Sequence, residues 1–379
     1  MFDYETLKLL WWVLIGVLLI GFVITDGFDM GVGALVPFIG KTDQERRIMI
    51  NSIAPHWEGN QVWLVLAAGA IFAAWPTVYA TAFSGFYVAM MLTLFALFFR
   101  PVGFDYRSKI SDPRWRGSWD WGIFIGSAVP PIIFGVAFGN LLQGVPFVFD
   151  EYLRSTYLGS FFVLLNPFAL LTGVFSLTLF ILQGATWLQM KTEGIVQQRA
   201  RLVSLYCAPI TILLFALAGV WVAYGIDGYV ITSLMDLNGP ANPLLKSAQL
   251  QPGAWLANYD KYPLTMIAPL IGLSCPILVW IASKLNRNAF AFFFSSVTQV
   301  GVLMTFAVST FPFIMPSSIE PNFSLTIWDA VSSEMTLNIM TIAGAIFLPI
   351  ILIYTSWCYF KMFGRIGKEH MENNKSSAY

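Results

Sequence analysis

LLWWVLIGVLLIGFVITDGFDMGVGALV (residues 9–36) contains two acidic side chains, Asp26 and Asp29, and no basic one. As an α-helix at 1.5 Å per residue it measures about 42 Å, more than the ~30 Å hydrocarbon core of a bilayer. A stretch this apolar predicts a membrane span. Similar blocks follow at 53–75, 77–99, 120–142, 161–188, 202–226, 264–283, 289–312 and 336–362. Over the 379 residues, 57% are hydrophobic and 11% charged, against roughly 25% charged in soluble domains. The sequence therefore predicts an all-α polytopic membrane protein, one transmembrane domain over residues 1–379 with nine transmembrane helices.

Lys+Arg and Asp+Glu balance at 21 each, so no net charge draws the chain to nucleic acid. Its three cysteines are far apart and form no CxxC pair, which favours packing over a disulfide or metal framework. The opening MFDYETLKLLWW is acidic before its apolar run, unlike a cleaved signal peptide.

The positive charges set an orientation. Lys8, Arg154, Lys246 and Lys261 fall on one side of the nine spans; the other 17 of the 21 basic residues fall on the opposite side. By the positive-inside rule the N-terminus is periplasmic and the C-terminus cytoplasmic.

Several ionisable residues gather at the basic end of the predicted spans. Asp26 and Asp29, three residues apart, share a face of the first helix. His56 and Glu58 open the second in APHWEGNQVW (54–63), Arg100 and Asp105 close the third, and Asp120 opens the fourth. Charges at such depth are costly, so they pair or line a hydrated path. Each has a plainer role beside the functional one. Glu58 sits where a helix N-terminus favours an anion, Arg100 and Asp120 can pair with each other, and the glycines near Asp29 suit close helix packing. His56 has no second histidine nearby in sequence, which argues against a metal site. With only His56 and His370 in the chain, a multi-haem core, whose axial ligands are usually His or Met, is not expected here. Intramembrane carboxylates also suit a secondary transporter, but these lie at one end rather than at the midplane, and no half of the chain repeats.

The motifs TDGFDMGVG (25–33), ERRIMINSIAPHWEGNQVWL (45–64), FSGFYVAMML (83–92), FFRPVGFDYR (98–107), WDWGIFIGS (119–127), AFGNLLQGVPF (137–147), AGVWVAYGIDGYV (218–230), FPFIMPSS (311–318) and SLTIWDAVSS (324–333) span nearly the whole chain. In this order the sequence resembles subunit II of the cytochrome bd-type ubiquinol oxidases, most closely the proteobacterial members. The resemblance implies two four-helix bundles plus one peripheral helix, in a multi-pass protein of the bacterial inner membrane. It implies an enzyme that oxidises quinol and reduces dioxygen to water, with haems b and d in a partner subunit I and no haem in this chain. A structural quinone and small single-helix subunits accompany some members. By the same resemblance, Asp29, His56, Glu58, Arg100, Asp105 and Asp120 would support a cytoplasmic proton route or the subunit I interface. Trp63 would stand near a dioxygen path.

Overall fold

The computed structural model describes residues 2–367; Lys368, His370 and Lys375 of the tail lie outside the described residues. The opening block forms α1 (Tyr4–Ile39), which extends the predicted span at both ends. A short polar helix, α2 (Asp43–Ile53), then precedes α3 (Trp57–Ala74). Pro76 breaks the next block. The residue before a proline is driven out of the helical region, and Trp75 sits at φ −129°, ψ 65°. The chain bends by 119° into α4 (Pro76–Gly85), and α5 (Tyr87–Tyr106) follows. This bend falls where the predicted spans 53–75 and 77–99 meet; the span at 77–99 is itself divided at Phe86 into two helices, and the span predicted from 53 starts at Trp57.

The remaining helices are α6 (Pro113–Gln143), α7 (Pro167–Lys191), α8 (Gly194–Gly225), the short α9 (Ala257–Lys261), α10 (Ile267–Lys284), α11 (Asn288–Thr310) and α12 (Glu334–Lys361). α6 starts seven residues before the predicted 120 because Asp112 caps it, accepting from the Arg114 amide at 2.8 Å, with Pro113 in the first helical position. Eight of the described helices are long and apolar enough to cross a membrane, and the bent α3–α4 pair raises this to nine if it counts as one span.

α1 lies at the centre, packed against α3, α6 and α7. At its crossing with α7, Gly31 and Gly184 meet backbone to backbone. A Cβ on Gly31 would fall 2.7 Å from the Gly184 amide nitrogen, so side chains there would force the helices apart. α5 packs on α6, and α8, α10 and α11 assemble beyond α7. α12 rests against α1 and α3 with most of its surface open.

The end opposite the basic face is closed by three two-stranded antiparallel sheets: β1 (Phe147–Phe149) with β2 (Ser155–Tyr157), β3 (Gly228–Ile231) with β4 (Ala248–Gln251), and β5 (Phe313–Met315) with β6 (Leu325–Thr326). Lys8 fastens this cap. Its fully buried ammonium donates to the carbonyls of Leu237 (2.8 Å), Gly239 (3.3 Å) and Trp328 (2.9 Å). Nearby, Lys246 and Asp329 form a buried ion pair at 2.9 Å. Both ions are hydrogen-bonded further, as a buried charge requires: Lys246 to the Pro243 carbonyl and Asp329 from the Thr326 amide.

Candidate functional site

The ionisable residues at the basic end sort into an ionic clamp, a buried polar chain and two exposed carboxylates. The clamp is built on α2. Thr42 and Glu45 form a capping box, each side chain accepting from the other's backbone N–H. Glu45 also accepts from Arg199 of α8 at 2.8 Å, and Arg199 donates to the Ile39 carbonyl at the end of α1. Burial works to raise the Glu45 carboxyl, but the Lys41 and Thr42 amides and the Arg199 guanidinium outweigh it and hold the group below the usual carboxylate range.

One residue on, Arg46 reaches Asp120 of α6 at 2.6 Å. Arg107, at the end of α5, also grips Asp120 (2.6 Å) and holds Asp43 (2.9 Å), which Arg116 shares (2.7 Å). Asp120 is thus buried between two arginines, and neither is Arg100. The sequence-level pairing of Arg100 with Asp120 is not formed, because Arg100 faces α1 instead. There it makes a two-pronged bond to Asp26, 2.6 and 3.1 Å, both residues fully buried.

The polar chain begins one turn further along α1. Asp29 accepts from the Asn60 amide of α3 at 2.8 Å, and Asn60 in turn accepts from the Tyr359 hydroxyl of α12 at 2.6 Å. The Tyr359 ring lies parallel to the His56 imidazole, centroids 4.4 Å apart, and Trp187 meets His56 edge-on. Trp187 is itself stacked on Phe28 and packed against Phe292. These rings crowd the one histidine among the described residues. Among the described residues no group of three or more His, Cys, Asp or Glu is placed to hold a metal ion.

Glu58 and Asp105 do not join either group. Both are exposed and make no hydrogen bond or ion pair among the described residues. Glu58 heads a stripe at helical spacing with Val62, Val65 and Phe72, all more than half exposed. Asp105 follows Phe98 and Val102 on the open side of α5. Trp63 points the other way and is buried against Gly21 of α1. The sequence reading missed Asn60, Tyr359, Arg46 and Arg107. Asn60 stood inside the quoted motif, whereas Tyr359 lies 299 residues from its partner and no local pattern signals it.

Fold and site together define a polytopic helical membrane protein whose ionisable groups are concentrated at one end, with two carboxylates left open on an apolar face. Residues 7–362 match the family model described as cytochrome bd terminal oxidase subunit II, and the chain belongs to that family. It is 60% identical, over the full length of both chains, to cytochrome bd-I ubiquinol oxidase subunit 2 of Escherichia coli K12. It is 30% identical to cytochrome bd ubiquinol oxidase subunit 2 of Bacillus subtilis, covering 96% of this chain and 98% of that one. Its fold is that of a chain in the bd oxidase structure from Geobacillus thermodenitrificans, with a TM-score of 0.68 over 95% of this chain and all of the other at 16% identity. Family membership displaces the transporter alternative.

Proposed function

We propose that this chain is the haem-free second subunit of a terminal oxidase that oxidises ubiquinol and reduces dioxygen to water in the bacterial inner membrane. The haem-bearing subunit I, in this reading, docks on the exposed α3–α5 face. The full-length identity to ubiquinol oxidase subunits supports the reaction, and the open, unpaired state of Glu58 and Asp105 on that face carries the site assignment. A carboxylate left on an apolar membrane face is costly unless a partner or a water file covers it. Once subunit I covers the face, both groups stand at the cytoplasmic edge of the interface, where they take up protons on their way to the oxygen-reducing centre. A carboxylate serves because it binds and releases a proton without leaving its place.

Asp29, His56, Arg100 and Asp120 have a different part in this reading. The clamp and the polar chain hold the α2–α3 corner, and so fix where Glu58 stands. Trp63, behind that stripe, borders a dioxygen path. The orientation is N-terminus periplasmic and C-terminus cytoplasmic over nine spans, supported by the 17-to-4 charge split. The haems belong to subunit I, supported by the crowded surroundings of His56. A structural quinone and small single-helix subunits complete the assembly, supported by resemblance to the family. The isolated chain consumes no oxygen in this reading.

Glu58→Gln in the intact complex tests the assignment. It keeps the size and removes the exchangeable proton, and turnover should fall by at least about tenfold with the haem spectrum and subunit ratio unchanged. Near-normal turnover of the assembled variant would leave Glu58 a purely structural contact.

A further inference from the structure

On the basic face, Arg46, Arg100, Arg107, Arg116 and Arg199 each hold a carboxylate. The corner where α8 meets the α10–α11 turn gathers basic side chains that do not, as Lys41, Lys109 and Arg114 elsewhere on this face also do not among the described residues. It presents Arg201, Lys284 and Arg287, and none of these pairs with a carboxylate among the described residues. Lys284 and Arg287 are exposed, with Lys284 lying over the Trp280 ring, 4.8 Å from its centroid. Arg201 reaches across to the start of α11, where its Nη2 makes only a long 3.4 Å bond to the buried Asn288. Its Nε is buried with no hydrogen-bond partner among the described residues. The half-buried guanidinium, with no carboxylate among the described residues, has donors left for an anionic acceptor.

We propose that this corner binds the phosphate of an anionic phospholipid, with Arg201 donating from its guanidinium edge and Lys284 and Arg287 closing from the turn. Arginine's planar fork matches phosphate oxygens, and basic pockets between membrane helices recognise anionic headgroups in this way. Depth favours a lipid over a free anion: Trp280 and the exposed Leu285 and Phe290 place apolar surface beside the three charges, where acyl chains and glycerol would lie.

The test uses the whole complex in nanodiscs of phosphatidylcholine with increasing phosphatidylglycerol, reading saturable lipid binding by native mass spectrometry. Wild type should hold phosphatidylglycerol saturably. The triple variant Arg201→Gln, Lys284→Gln, Arg287→Gln should bind it about 100-fold more weakly, roughly a factor of five per charge removed. Arg201→Lys, which keeps the charge but loses the fork, should show an intermediate loss and guards against misfolding of the triple variant. Removing Lys41, Lys109 and Arg114 instead should leave the saturable site intact. Equal loss in the two triple variants, or no saturable binding in wild type, would overturn the proposal. So would full displacement of the lipid by inorganic phosphate, which would make this a site for the free anion.

Discussion

Arg100 of α5 and Asp26 of α1 form a two-pronged ion pair with neither side chain exposed, the shorter bond 2.6 Å long. It ties α5 to the central helix α1 at a fully buried point. Removing one partner strands the other as a buried charge, which typically costs about 3–5 kcal/mol. Arg100→Leu should therefore sharply lower the yield and melting temperature of the assembled complex. The double change Arg100→Leu with Asp26→Leu removes both charges and should recover much of the loss. A double variant no better than the single would mean that packing, not charge, dominates there.

The clamp on α2 gives a dependence on pH. Glu45 is held below the usual carboxylate range when folded, so its contribution is full above its unfolded value near ~4.3 and is lost as pH falls through the lower folded value. The difference in melting temperature between wild type and Glu45→Gln should be constant from neutral pH down to about 5 and shrink below about pH 4. A difference that grew on acidification would reverse the sign and contradict the assigned hydrogen bonds.

How much of this was legible beforehand depended on whether the cause was local. The spans could be read because a membrane helix must satisfy its backbone internally and present apolar side chains. The break at Pro76 was equally local and fell between the predicted spans 53–75 and 77–99, whereas the one at Phe86, inside 77–99, has no proline to mark it and was overlooked. Depth along the helices could be counted, so Asp26, Asp29, Arg100 and Asp120 were rightly placed at one end. Which of them touch depends on helix rotation and packing, and so Arg100 was paired with Asp120 rather than Asp26. The same limit hid the division between buried Asp120 and exposed Glu58, since both stand near the start of a predicted span on the same side.

Tyr359 fastens the otherwise open α12 at the basic end through its hydroxyl, while its ring stacks on His56. These two contacts separate cleanly. Tyr359→Phe keeps the ring and strands the Asn60 carbonyl oxygen, and should cost about 1–3 kcal/mol. Tyr359→Ala removes both contacts and should cost more, with α12 cleaved faster by protease near its basic end. Equal effects of the two substitutions would place the whole contribution in the hydroxyl.

Gly21 and Trp63 test the close approach of α1 and α3. A Cβ built on Gly21 would lie 2.6 Å from the Trp63 ring, and the indole is buried with little room to turn. Gly21→Ala should therefore push the ring or the helix aside, at the roughly 1–3 kcal/mol typical of overpacking. The melting temperature of the complex should fall, and pairing the change with Trp63→Leu, which clears the space, should restore part of it. If Trp63 borders a dioxygen path, the displaced ring should also raise the KM for oxygen in Gly21→Ala while leaving quinol saturation unchanged. A normal KM together with a lowered melting temperature would confine Trp63 to packing.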